Sequence, residues 1–292
     1  MHRTVQRLDP KNDIVFKLLL THEPALLVHM LQGVLGRHVE APAILDPDIP
    51  REQVGKKRVI LDLRVELEDG SRADLEMQRR TPPSLVPRLV YYAARDYGGQ
   101  LAPGEHYERL TPTSVIAWLG KPLKPRVDLF HSIFELRERH TNVQLTDHLA
   151  LHFLQLSKRS PLASGPVNGY DVVVDRWARF FTARSDAATL AQLAAEDPMM
   201  RLATQTLEAL SQDPATCRLA SLRESENAFY EMDLAASREA GRVEVLLTLL
   251  DQRFGPLPSV VRSRVQTASA MQLDAWIGRI LTAQSLDELF RQ

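Results

Sequence analysis

Two short stretches of alternating residues carry the side chains best suited to chemistry. From 59 to 67, Val59, Leu61, Leu63, Val65 and Leu67 alternate with Ile60, Asp62, Arg64 and Glu66, which on a strand puts the two sets on opposite faces. From 72 to 78, Arg72, Asp74, Glu76 and Gln78 share a face opposite Ala73, Leu75 and Met77. Glu68-Asp69-Gly70 joins the two runs. A two-residue Asp69-Gly70 turn would set Asp62 against Met77, polar face on apolar face, and a one-residue slip of that kind misplaces every side chain. A three-residue loop with Gly70 in the left-handed position instead pairs Leu67 with Ser71 and sets Asp62 directly opposite Glu76. Facing carboxylates repel unless a positive group lies between them, and hard oxygen donors so placed suit Mg²⁺ or Mn²⁺. The solvated polar face of an edge hairpin explains Arg64, Glu66, Arg72 and Asp74 equally well.

Other residues offer weaker chemistry. A helical pattern over 85–101 puts Arg88, Tyr91 or Tyr92, and Arg95 on one face, because residues three and four apart are neighbours there; such a face can hold a phosphate backbone. Lys56, Lys57 and Arg58 precede the first run and Arg79 and Arg80 follow the second, and between 51 and 126 there are 14 Lys+Arg against 10 Asp+Glu, a modest local basic field. His148 and His152, with Asp147 adjacent, have the spacing of a helical zinc pair. They lack a third ligand and sit in the apolar string LALHFLQL, which favours a structural histidine. Cys217 is the sole cysteine; it reads as a packed thiol and fits a reducing compartment.

The elements that must position these groups read as follows. Ile14–Leu20 and Ala25–Leu35 predict two helices, with Pro24 in the first turn of the second and Gly36 ending it. A loop with Pro42, Pro47 and Pro50 leads to the hairpin. A helix over 85–101, a buried strand over Thr113–Leu119 and a helix over 144–158 come next, an α/β arrangement with a mixed sheet. From about 185 the chain reads as helix, punctuated by Asp197-Pro198 and Asp213-Pro214. An apolar helical face over 238–254 is stopped by Gly255-Pro256, and Ser269…Gln272 and Ser285…Glu288 have capping-box spacing. There is no internal repeat and no low-complexity segment. At 292 residues, 44% hydrophobic, with 36 Lys+Arg and 37 Asp+Glu, the composition excludes a disordered, collagen-like or disulfide-scaffold chain. It removes whole-chain basicity as an argument for nucleic-acid binding but leaves a local basic groove open. No stretch approaches the roughly 18–20 apolar residues a bilayer needs, and MHRTVQRLDPKND lacks a signal-peptide core, so the expected setting is the cytoplasm, without a membrane partner.

The strings LDPKNDIVFKLLL, GKKRVILDLRVELEDGSRADLEMQ and RLVYYAARDYGGQL, followed by DLFHSIFEL and LALHFLQLSK, together resemble the PD-(D/E)XK nuclease superfamily, in its branch of recombination-promoting nucleases and transposase-like proteins. The likeness runs to about residue 160, and the segment from Gly241 through RFGPLP to SLDELF is similar to a helical domain often appended to such nucleases. Each motif is short; their order and spacing make the match specific. The resemblance implies an α/β, restriction-endonuclease-like core with a central mixed β-sheet flanked by helices, followed by an all-α C-terminal region. The implied division is 1–165 nuclease-like, 166–235 helical extension and 236–292 small helical domain.

The resemblance also implies roles for residues. Asp62 and Glu76 match the two acidic core positions as metal ligands. Gln78 stands where the superfamily usually has lysine. Asp13, followed by Lys17, matches an acidic N-terminal position that approaches the metal, although Asp is equally a preferred helix N-cap. Glutamine orients water or donates a hydrogen bond but is no base near neutral pH, so activation would fall on the metal. The expected activity is Mg²⁺-dependent (or Mn²⁺-dependent) hydrolysis of DNA, by Asp62, Glu76, Gln78 and Asp13, with Lys17, Lys57, Arg88, Tyr92 and Arg95 as candidate DNA contacts. DNA and a second copy of the chain in a dimer are the expected partners. The competing expectation is a weak or inactive nuclease fold serving as an interaction or regulatory module. Strand transfer is suggested by the family label alone.

Overall fold

The computed structural model describes residues 7–49, 59–123, 127–158, 168–183 and 186–291. The chain opens with α1 (Asp13–His22), capped by Asn12, whose side chain accepts from the Ile14 N–H, and α2 (Pro24–Leu35), with Pro24 in its first turn. Gly36 ends α2 at φ +64°, its N–H on the Gln32 carbonyl, a left-handed conformation that glycine adopts without steric cost. The sheet is built from β1 (Ala43–Leu45), β4 (Leu63–Glu66), β5 (Arg72–Gln78), β6 (Thr113–Leu119), β7 (His131–Arg137) and β8 (Gln144–Gln155), in the order β1-β4-β5-β6-β8-β7. β5–β6 and β6–β8 are parallel and the remaining pairs antiparallel. The crossover from β5 to β6 carries α3 (Leu85–Gly98). A separate two-stranded ribbon pairs β2 (Asp48–Ile49) with β3 (Val59–Ile60).

Both faces of the sheet are covered. On one, Val65, Leu75, Met77, Ile116, Trp118 and Leu154 pack with α1, α2 and the helices α4 (Gly169–Thr182), α5 (Ala187–Glu196) and α6 (Pro198–Gln212). On the other, Val115, Ala117, Leu119 and Phe153 pack under Leu85, Leu89 and Ala93 of α3. The central strand β6 is therefore apolar at nearly every position, as strands buried on two sides are. Helices α2 and α4 approach so closely at Gly33 that a Cβ there would stand 2.6 Å from Val173 Cγ1.

Residues 1–223 form one compact unit and 224–292 a second. Helices α4–α6, which the sequence sets apart as an extension, share the core of α1 and α2. The 41-residue α7 (Pro214–Phe254) begins under the Asp213 carboxylate, which accepts from the Thr216 N–H at 2.7 Å, and ends at Gly255, φ +81°. In the second unit, α8 (Ser259–Gln266), α9 (Ala270–Arg279) and α10 (Leu286–Leu289) pack with Leu246 and Leu250 around Trp276 and Phe290. Ser269 and Gln272 form a capping box, and the Ser285 hydroxyl accepts from the Glu288 N–H. No single described helix is long and apolar enough to cross a membrane; the apolar pair α1 and α2 is bent by 107°, and its apolar residues belong to the core.

Three expectations need correction. Residues 144–158 are not a helix: Gln144–Gln155 is β8, in register with β6 from Thr113↔Leu149 to Leu119↔Gln155. Leu149, Leu151 and Phe153 face α3 while Leu154 faces the other core, so the apolar run has no clean period and long-range pairing decides its conformation. His148 and His152 are then about 13 Å apart along a strand, and the zinc-pair geometry is lost. Second, the run 59–67 is not one strand. Leu61 packs under α3 and Leu63 on the opposite side, because the chain leaves the β2–β3 ribbon, where the Leu61 N–H meets the Pro47 carbonyl at 3.0 Å, before joining β5. Third, the polar face of the hairpin is not solvated: α3 covers it, and Arg64, Asp74 and Glu76 are buried.

Candidate active site on the covered face of the hairpin

The β4–β5 ladder pairs Glu66↔Arg72, Val65↔Ala73, Arg64↔Asp74 and Leu63↔Leu75. Its turn is the three-residue loop: the Leu67 N–H donates to the Ser71 carbonyl at 2.8 Å, the Gly70 N–H to Leu67 at 2.9 Å, and Gly70 has φ +77°. One pair past the last rung, Asp62 meets Glu76. There, side chains take over from the backbone ladder. Asp62 Oδ2 accepts from the Met77 N–H at 2.8 Å, and Glu76 Oε1 accepts from the Asp62 N–H at 3.3 Å.

This apposition is electrostatically costly. Burial pushes the Asp62 carboxyl up to about 6 against the downward pull of the Met77 N–H, with Asp13 adding to the rise and Arg223 and Arg88 opposing it. Burial, and then the Asp62 charge, hold Glu76 well above the usual carboxylate range, opposed by Arg88 and the hydrogen bonds from Asp62 and Gln78. Two titratable groups that disfavour each other's ionised form in a partly closed site are a recognised mark of a functional centre.

Gln78 links this pair to α3. Its Nε2 donates to Glu76 Oε2 at 2.5 Å, and its Oε1 accepts from Arg88 Nη2 at 2.8 Å. The Arg88 guanidinium also stands 5.8 Å from the centre of the Tyr92 ring. Burial raises the Tyr92 phenol above its ordinary pKa, so it stays protonated and able to donate. Asp13 is not the N-cap of α1, a role Asn12 fills; Asp13 lies in the first turn, with its Oδ2 2.9 Å from Arg223 Nε on α7. The structure thus brings Asp13, Asp62, Glu76, Gln78, Arg88 and Tyr92 to one place. Lys17 and Arg95 are half-buried on the same helices as Asp13 and Arg88. Lys57 lies outside the described residues, as do Lys56 and Arg58. Among the described residues, no group of three or more His, Cys, Asp or Glu side chains is arranged to hold a metal ion.

Two features escape the sequence. Arg223 is one charge among many on a helix, with no local signal. The second feature fastens α3 to the sheet: buried Asp96 receives hydrogen bonds from Arg64 and, at 3.0 Å, from Arg72 Nη1. Asp74, opposite Arg64 in the ladder, is fully buried without a hydrogen-bond partner among the described residues, and burial followed by the nearby Asp96 charge raises it well above the ordinary range. The polar face over 64–74 was a usable signal for this network, but the matching Asp96 sits 22 residues further on, in a helix. The histidines have partners of their own: His148 Nδ1 meets the Tyr97 hydroxyl at 2.8 Å, and His152 Nδ1 meets His131 Nε2 at 3.1 Å.

A mixed six-stranded sheet with helices on both faces, followed by a helical C-terminal region, is the fold the resemblance implied. Neither curated proteins nor solved structures include a significant match to the chain. The model of one family, described as PD-(D/E)XK nuclease family transposase, matches residues 10–237, a span that takes in α4–α6 and the start of α7 as well as the sheet. The chain belongs to the PD-(D/E)XK nuclease family of transposases.

Proposed function

We propose that the chain is a divalent-metal-dependent DNA endonuclease that hydrolyses phosphodiester bonds, with Mg²⁺ as cofactor and Mn²⁺ as substitute. The observation that carries this reading is the apposition of half-buried Asp62 and buried Glu76, like charges whose repulsion a hard dication relieves. The donor set fits Mg²⁺, which is held by one or two carboxylates and keeps several of its waters; Asp62 and Glu76 would hold it, with Asp13 as an auxiliary. When bound, such an ion lowers the pKa of water and neutralises charge gathering on the phosphoryl group. Gln78, fixed between Glu76 and Arg88, orients water or a phosphate oxygen through its amide and takes no proton. Arg88 supplies positive charge one side chain away from the missing lysine. Tyr92, Arg95, Lys17 and Lys57 are assigned to the DNA backbone. Cutting both strands takes two such sites, hence a dimer of this chain.

The test is plasmid cleavage by wild type, Asp62→Ala and Glu76→Ala, each with Mg²⁺ or Mn²⁺. Metal-dependent nicking or linearisation that both substitutions abolish supports the reading; equal cleavage by all three refutes it. A second reading, a nuclease fold kept as an interaction module, draws on Gln78 and Asp13 already being engaged by arginines. Thermal stabilisation by Mg²⁺ that Asp62→Ala removes would favour the enzyme, and unchanged melting would favour the module.

A further inference from the structure

Arg223 reaches the site from α7, whose first turns dock on the N-terminus of α1: Asn12 Nδ2 donates to the Ala220 carbonyl at 3.1 Å. The Arg223 side chain is 42% exposed, with Nε 2.9 Å from Asp13 Oδ2. It acts on the Asp62 carboxyl in the sense opposite to Asp13. Three carboxylates, Asp13, Asp62 and Glu76, are thus flanked by two guanidiniums, Arg88 from α3 and Arg223 from α7. With every group ionised this leaves one net negative charge. A divalent cation reverses it to one positive charge, which a single phosphodiester cancels. Gln78 contributes no charge where a lysine would.

We propose that Arg223 is a phosphate-binding residue of this site, held by Asp13 in the metal-free protein and released to the DNA backbone when Asp13 turns to the metal. The Asp13–Arg223 contact is then an exchangeable pair and not a fixed structural bridge. A partly exposed ion pair is cheap to open, and the planar guanidinium matches phosphate in two-pronged fashion better than it matches one carboxylate oxygen. The inference rests on the nuclease reading above. It further places part of the DNA contact on a helix outside the α/β core.

The experiment measures anisotropy of a short labelled duplex over a range of salt, with Ca²⁺ and without metal, alongside Mn²⁺ calorimetry and melting of each variant. Arg223→Ala is expected to weaken duplex binding in Ca²⁺ about ten-fold and to make the salt slope shallower by about one, with Mn²⁺ affinity retained. Arg223→Lys restores the slope. Asp13→Asn moves the other way: metal-free duplex affinity rises several-fold because the Asp13 carboxylate no longer competes with phosphate for Arg223, while Mn²⁺ affinity falls. An Arg223→Ala protein with wild-type affinity and slope overturns the proposal. So does a parallel loss of duplex binding by Arg223→Ala and Asp13→Asn that tracks their melting temperatures, the signature of a structural bridge. Wild type that binds neither Mn²⁺ nor duplex overturns the nuclease reading and this inference together.

Discussion

Acidification should destabilise this protein through two histidines on the α4 side of the sheet. His131 and His152 share one hydrogen bond, Nε2 to Nδ1 at 3.1 Å, and His152 is 6% exposed. Burial, partly opposed by Asp171 at the start of α4, takes His131 from 6.5 down to about 4; burial and then the His131 charge take His152 down to about 3. Their folded values lie below the unfolded one. The stability they contribute is therefore intact above pH 6.5 and is lost as the pH falls from there towards 4 and 3, because only the unfolded chain takes up protons in that window. Between about pH 7.5 and about pH 5, each histidine costs the folded state about 2 kcal/mol, and the pair about 4 kcal/mol. The assay is urea unfolding at both pH values for wild type and for a His131→Gln, His152→Gln double variant. The glutamines cost some stability at both pH values, and the difference between the two pH values isolates the titration. Wild type should lose about 4 kcal/mol more than the double variant on acidification. Equal losses would show that the imidazoles are not held neutral, and the burial argument would fail.

Four substitutions test the network under α3 and the site. Asp96→Asn strips the counter-charge from buried Arg64 and half-buried Arg72 and should cost about 3–5 kcal/mol in unfolding experiments, whereas Asp74→Asn, replacing a carboxyl whose ionised form burial disfavours, should cost less than about 1 kcal/mol. Glu76→Gln should raise the melting temperature at pH 8, because it removes a buried like charge beside Asp62, and should lower metal-dependent cleavage by about a thousand-fold or more. Gln78→Lys should not improve cleavage, because the new ammonium faces Arg88 where the amide oxygen accepted its hydrogen bond; a gain in rate would show that Arg88 moves freely.

The sequence was most legible where one periodicity met one physical constraint. The hairpin register followed from keeping polar and apolar faces apart, and it placed Asp62 opposite Glu76 with no tertiary information. Thr113–Leu119 was plain because a strand buried on both sides has few other readings. Residues 144–158 look helical in sequence because burial on two faces erases the alternation that marks a strand, leaving only pairing with β6 to decide. The break at Leu61 was hidden because both faces of the sheet are apolar cores, so Leu61 could change sides without changing type. The α3 network and the Arg223 contact join residues 22 or more apart in sequence, and no local pattern carries such pairs.

The two acidic residues of the site are held with unequal firmness. Glu76 stands on β5, bonded through its backbone into the ladder beside Ala117 in the interior of the sheet. Asp62 comes one residue after the ladder's end, on chain arriving from the β2–β3 ribbon. Asp62 is held to β5 through side-chain hydrogen bonds, its own carboxylate on the Met77 N–H and its N–H on Glu76, whereas an insertion within β5 would shift Glu76 and Gln78 out of phase with β6 at once. Glu76 is therefore the fixed jaw of the pair, set by the interior of the sheet, and Asp62 the jaw whose position depends on hydrogen bonds to that strand.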